Sequence, residues 1–281
     1  MRYRSVFLGL GYDETAPSPI DGGHAAENYA MAFCANEQAH LSVYMAVPIL
    51  HVSIAGLLPL AHSLASEVNA ERRKLAEEAE KRLAGAATSA GVIAEVQIVQ
   101  DSYPEACHCL AAAARPSDIV VVARPASGLS LDESLIEVML FTSGRPVLVI
   151  PPDWDKGASF QNIMVAWDGG TRAARAVGDA MPILTRAGKV EILCVSPDAS
   201  KNIGGAGLAA HLARHCKTVT VTDLSTQHAG IAKTLAAHAA MAGADLLVMG
   251  AYGHSRLREM VLGGVTNGML SEAKLPLLLS Y

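Results

Sequence analysis

A chain of 281 residues with 51% hydrophobic content is long enough for two domains with buried cores, and at 5% aromatics those cores must be built from Ala, Val and Leu. With 22 basic and 27 acidic residues, a net charge of −5 and no basic tract, it lacks the electrostatic footprint of a nucleic-acid binder. Five scattered cysteines form no disulfide framework, so a reducing compartment, the cytoplasm, is expected.

In chain order, the apolar run at 6–10 is too short for a secretory signal and reads as the end of a first strand, 5–13. An Ala-rich helix is expected over 25–40, then a strand over 41–47. Residues 41–66 hold no Asp, Glu, Lys or Arg, a length that could span a bilayer. Pro48, His51, Pro59 and His62 interrupt it, so a buried strand running into an apolar helix is the simpler explanation, and no membrane contact is expected. A charged helix follows over 67–83, then a strand over 95–99, a helix over 106–114, a strand over 118–123 and a last strand over 146–150. Pro151 to Ser159 reads as a linker.

The second half repeats the first. The strand 162–170 parallels 5–13, the helix 173–187 parallels 25–40, and the strand 190–195 parallels 41–47. Further pairs are 218–221 with 95–99, 231–242 with 106–114, 245–250 with 118–123, and 276–280 with 146–150, while 204–215 replaces the longer helical insertion. Short, continuous β-branched or Leu-rich runs separated by helices are the pattern of parallel strands covered on both faces. The expected fold is therefore α/β, two tandem five-stranded parallel-sheet domains over 1–152 and 160–281. Pairing the last strand of each half would cover two apolar edges and pack the halves as a pseudo-dimer; whether the chain also forms a homodimer stays open.

The chemistry concentrates after the strand 246–249. Gly250, Gly253 and Gly263 stand in a Gly-x2-Gly-x9-Gly spacing, and Gly264, Val265 and Thr266 open the last helix, expected over 266–273. Glycines after a buried strand allow positive φ and close approach of a ligand, and free amides at a helix start attract anions. In this context the stretch resembles the nucleotide-binding branch of the universal stress proteins, whose motif continues with Ser or Thr after the third glycine. The resemblance runs along the whole tandem chain and is most specific over 163–168 and 245–281. It implies Rossmann-like domains similar to adenine nucleotide α-hydrolases, and ATP or a related adenine nucleotide, with or without Mg, as ligand.

Carried over residue by residue, the resemblance implies that Asp168, with Ala166 before it, stands beside the adenine and ribose, and Val195 beside the base. It places Met249 and Gly250 at the ribose and phosphates, Gly253 at the phosphate turn with His254 beside it, and Gly263, Gly264, Val265 and Thr266 in a second phosphate loop. Gly264 departs from the family pattern and removes a hydroxyl. A hydrogen bond to a charged group is worth about 1.5–3 kcal/mol, so affinity would fall roughly tenfold or more. Without a ligand, the glycines are a tight strand-to-helix connection and Asp168 is a helix N-cap. The first half keeps Asp13 but has no matching glycines after Ala123, and reads as a degenerate copy.

Other signals are weaker. Gly205, Gly207 and Ala210 fit a loose dinucleotide fingerprint without a preceding strand. Cys107, His108 and Cys109, and the pair His211 and His215, lack the further ligands that a metal site needs, so no metal is expected. No nucleophile–base pair emerges. The function expected is a stress-response protein that binds an adenine nucleotide in its second half. The alternatives are a non-binding scaffold or chaperone-like module, and a slow nucleotide hydrolase using His254 or Asp168.

Overall fold

The computed structural model describes residues 2–11, 24–51, 59–124, 131–196, 204–226, 230–251 and 264–281, with the side chains of 59–61 and 131–134 left aside. Two compact units form, one over Tyr3–Arg145 and one over Pro146–Tyr281.

The first unit runs β1 (Ser5–Leu10), α1 (Ala25–Glu37), β2 (His40–Pro48), α2 (Pro59–Ser89), β3 (Ala94–Asp101), α3 (Tyr103–Ala114), β4 (Ile119–Ala123) and α4 (Leu131–Thr142). Its strands lie parallel in the order β3-β2-β1-β4, with Ser5 opposite His40, Val6 opposite Ile119 and Leu41 opposite Ala94. The second unit runs β5 (Val147–Ile150), β6 (Asn162–Ala166), α5 (Thr171–Leu184), β7 (Lys189–Ser196), α6 (Ala206–Leu212), β8 (Val219–Ser225), α7 (Ile231–Met241), β9 (Leu246–Gly250), α8 (Val265–Glu272) and β10 (Leu277–Ser280). Its order is β5-β10-β9-β6-β7-β8. All neighbours are parallel except β5 and β10, which run antiparallel with Leu277 opposite Val149. The expected pairing of 147–150 with 277–280 is therefore present, and it groups β5 with the second unit.

The inner strands are buried along their length, as continuous apolar runs require: Val6, Leu8, Val120, Val121, Leu148, Leu247 and Val248 are fully enclosed. The same expectation fails at β3 and β8, whose exposure alternates along the strand. Each lies at the end of its strand order, and successive side chains point to opposite faces, so the alternation marks one face less covered than the other, with Glu95 and Gln97 or Asp223 and Ser225 on it. Buried Ala173, Ala176, Val177, Ala180, Ile183 and Leu184 recur at helical spacing on α5. Such an alanine-rich face lets the helix lie close to β9 and β10.

The repeat extends to individual hydrogen bonds. Asp118 Oδ2 accepts the backbone N–H groups of Arg4 and Ser5 at 2.7 and 3.0 Å, fixing the start of β1. In the second unit Asp245 Oδ2 accepts those of Gln161 and Asn162, both at 2.8 Å, at the start of β6. Each carboxylate satisfies two amides at the start of its strand.

Within the uncharged stretch 41–66, residues 41–48 are strand and helix α2 starts at Pro59. Among the described residues no helix is long and apolar enough to cross a membrane.

Candidate functional site

The site is built at the carboxyl ends of β6, β7 and β9. Beyond the end of β6, Trp167 donates its backbone N–H to the Leu193 carbonyl at 2.9 Å, which keeps the register with β7 for one more residue. Asp168 then turns the chain: its Oδ1 accepts the Gly170 N–H at 2.8 Å, while Gly169 takes a φ of 74°. The N-cap of α5 is Gly170, so Asp168 is not a helix cap; it organises the turn before the helix and stays exposed.

Gly250 ends β9, but not in the conformation expected of it. It is absent from the glycines with positive φ. A Cβ there would lie 2.5 Å from the Ala173 nitrogen and 2.6 Å from the Arg172 carbonyl carbon, so glycine is required by the first turn of α5 crossing β9. The residue is a packing necessity that also opens the strand end.

Helix α8 starts at an N-cap glycine, Gly264, with extended ψ and no side-chain cap, so its first amides have no partner within the helix. Thr266 is buried in this first turn. These parts enclose a cavity of about 270 Å³. Ala166, Trp167 and Asp168 come from the end of β6, Leu193 and Val195 from β7, and Met249 and Gly250 from β9. Arg172 and Ala173 come from α5, Ile231 and Leu235 from α7, and Gly264, Val265 and Thr266 from the start of α8. Leu193, Val195, Ile231, Leu235, Met249 and Val265 make much of the lining apolar, while Asp168, Arg172 and Thr266 bring polar side chains to it. The volume is close to the lower bound of small-molecule sites, about 300 Å³.

Eight of the residues singled out from sequence thus meet at one cavity: Ala166, Asp168, Val195, Met249, Gly250, Gly264, Val265 and Thr266. Gly253, His254 and Gly263 lie outside the described residues, as does Asp13 of the first half. Sequence reasoning missed Trp167, Arg172, Ala173, Leu193, Ile231 and Leu235. Ile231 and Leu235 share a face at i, i+4, the one available signal; the rest depend on how α5 and β7 pack.

Charge at the site is sparse. The Arg172 guanidinium stacks over the Tyr281 ring, 4.3 Å from its centroid. On the far side of β7, burial first, then the charge of Asp223 and a hydrogen bond to it, push the Cys194 thiol up to about 11. It stays protonated and is inert as a nucleophile. The weaker metal candidates gain nothing from the fold. Cys107 is buried and Cys109 exposed, and the His211 and His215 rings are tilted by 57° with centroids 5.1 Å apart. Among the described residues no group of three or more His, Cys, Asp or Glu could hold a metal ion.

Residues 159–280 match the model of the universal stress protein family. This half of the chain is a universal stress protein domain. No protein of curated function matches the chain by sequence. A universal stress protein from Archaeoglobus fulgidus DSM 4304 is 20% identical, with 98% of this chain and 97% of that chain covered at a TM-score of 0.72. A candidate universal stress protein from Pseudomonas aeruginosa UCBPP-PA14 is 16% identical over 99% of this chain and 93% of its own, at a TM-score of 0.53. A universal stress protein solved in complex with cAMP is 19% identical over 44% of this chain and 99% of its own, with a TM-score of 0.35. The two matches that span the whole chain establish the fold on both halves. In the universal stress protein domain the cavity occupies the strand ends, where open α/β sheets bind their ligands.

Proposed function

We propose that the universal stress protein domain binds an adenine nucleotide of the ATP type, with or without Mg, and acts as a ligand-responsive regulatory or protective module of the cytoplasm. The nucleotide-bearing repeat is 160–281, and 1–152 is its degenerate copy. The observation that carries this is the convergence of four chain segments, 166–168, 193–195, 249–250 and 264–266, on one largely apolar cavity at the strand ends. The apolar walls suit a purine base. The start of α8 suits phosphates, since a helix N-terminus offers amides and the positive end of the dipole.

Gly264 supplies no hydroxyl, so side-chain recognition rests on the neighbouring groups while the backbone amides remain. Thr266, 4% exposed, lies in the wall. Thermal melting with and without Mg-ATP tests the proposal. Nucleotide at 100 times its dissociation constant adds about 2.7 kcal/mol of stability, so the midpoint should rise by several degrees. No shift at millimolar ATP, ADP or AMP would refute it, and a scaffold without nucleotide would be the better account.

A further inference from the structure

Taking the nucleotide site above as its basis, we infer that Arg172 is the phosphate-recognising side chain of this cavity and selects a polyphosphorylated nucleotide over a nucleoside. Among the described residues that line the cavity, Arg172 is the one cation and Asp168 the one carboxylate. They flank the same short connection, Asp168 in the turn after β6 and Arg172 in the first turn of α5.

Arg172 lines the cavity beside the end of β9. Its Cβ lies 2.9 Å from where a Cβ on Gly250 would stand, so the side chain departs beside the end of β9. Ser280 pairs with Gly250, and the Ala251 N–H reaches the Ser280 carbonyl at 2.8 Å. That register carries Tyr281 to the same edge, where its ring lies under the guanidinium at 4.3 Å. A ring under the guanidinium holds its plane and reduces the rotamer freedom lost on binding. Stacking uses the face of the group, whereas a phosphate is bound by its edge, often through two parallel N–H donors.

The departure at Gly264 gives this arginine its importance. A glycine N-cap contributes backbone amides and half a positive charge at most, with no hydroxyl. A full positive charge among the lining side chains makes up that deficit, and it favours ligands that carry negative charge. The carboxylate of Asp168 sets the complementary preference, for the hydroxyl groups of a ribose. A cavity charged this way orients its ligand as well as holding it.

The test is calorimetric titration of the full chain with adenosine, AMP, ADP and ATP, in wild type and in Arg172→Gln, each checked for cooperative unfolding in urea. Wild type should gain affinity with each phosphate and lose that gain at high salt. Arg172→Gln should weaken ATP binding by about tenfold or more while leaving adenosine within about twofold. Arg172→Lys should recover part of the loss, because charge returns without the planar fork. Tyr281→Phe should behave as wild type, and Tyr281→Ala should fall between wild type and Arg172→Gln. The inference is overturned if Arg172→Gln leaves ATP affinity intact, or weakens ATP and adenosine alike. If wild type binds none of the four, the adenine-site reading fails on its own, and inorganic tripolyphosphate decides the arginine. Arg172-dependent binding of that anion upholds phosphate recognition, and its absence ends it.

Discussion

The two repeats share a sheet plan and part company where chain leaves the sheet. Both start their first strand on an aspartate, Asp118 or Asp245, and both place it beside the second and fourth strands. In the first repeat the connection from β1 to α1 is residues 11–24, and β4 ends in Ala123. In the second, the connection from β6 to α5 is residues 167–170, which presses the first turn of α5 onto β9 and leaves room only for Gly250. The long inserted helix differs too. Helix α2 is tied down by polar groups: Arg82 makes two bonds to buried Glu27, Arg72 Nη1 reaches the Pro48 carbonyl at 2.8 Å, and Asn69 exchanges two bonds with the Leu50 backbone. Its short counterpart α6 sits directly on the sheet, where a Cβ on Gly205 would come within 2.9 Å of Ile192 and Val221. A duplicated sheet therefore constrains its loops weakly, and in the second repeat the short connection helps to wall the cavity.

The largest effect that could break this comparison is at the two fourth strands. Gly250→Ala meets backbone atoms that cannot move aside, and should cost about 3 kcal/mol in urea denaturation. Ala123→Gly at the matching position should cost only about 0.5–1 kcal/mol. Equal costs would mean that the connection length does not decide the residue. Next is Arg82→Met, which leaves the Glu27 carboxylate, 3% exposed, without its bidentate partner. Arg82 is itself 38% exposed, so water screens part of the loss, and about 2 kcal/mol is expected.

The smallest effect concerns pH. Glu191 on β7 is buried, which by itself raises its carboxyl pKa. His238 at 2.8 Å, Thr222 at 2.7 Å and Lys189 at 3.3 Å, together with the lysine charge, outweigh burial and leave it below its ordinary value of 4.5. A carboxyl whose folded pKa is depressed stabilises above the ordinary value and loses that contribution as pH falls through the folded one. Stability should therefore decline below about pH 4.5, and less steeply in Glu191→Gln. At the matching place in the first repeat the roles are exchanged, Ser42 donating to exposed Glu95 at 2.8 Å.

Most of the sheet was legible because enclosed parallel strands write themselves as unbroken apolar runs, and because Asp118 and Asp245 mark the same point twice. The edge strands β3 and β8 were misjudged although their sequences interleave polar and apolar residues, Glu95 and Gln97 in one and Thr220, Thr222 and Asp223 in the other, the pattern of half-covered strands. At the site, the glycine spacing pointed to the right strand end, yet the reason for Gly250 lies in a helix whose approach no local pattern reveals. Arg172 escaped notice on similar grounds. In sequence it is an ordinary helix-start cation, and only the placement of Tyr281 beside Ala251 gives it a direction.

The antiparallel partnership of β5 and β10 bears on how the protein can be dissected. Cutting in the Pro151–Ser159 stretch would strip Val147–Ile150 from the piece that contains β10, baring the backbone of Leu277–Ser280 along one side. Such a fragment would have a sticky border of leucines and would be prone to stack with its own kind. A fragment begun at Pro146 keeps that pairing and makes Val147–Ile150 its own outermost strand instead.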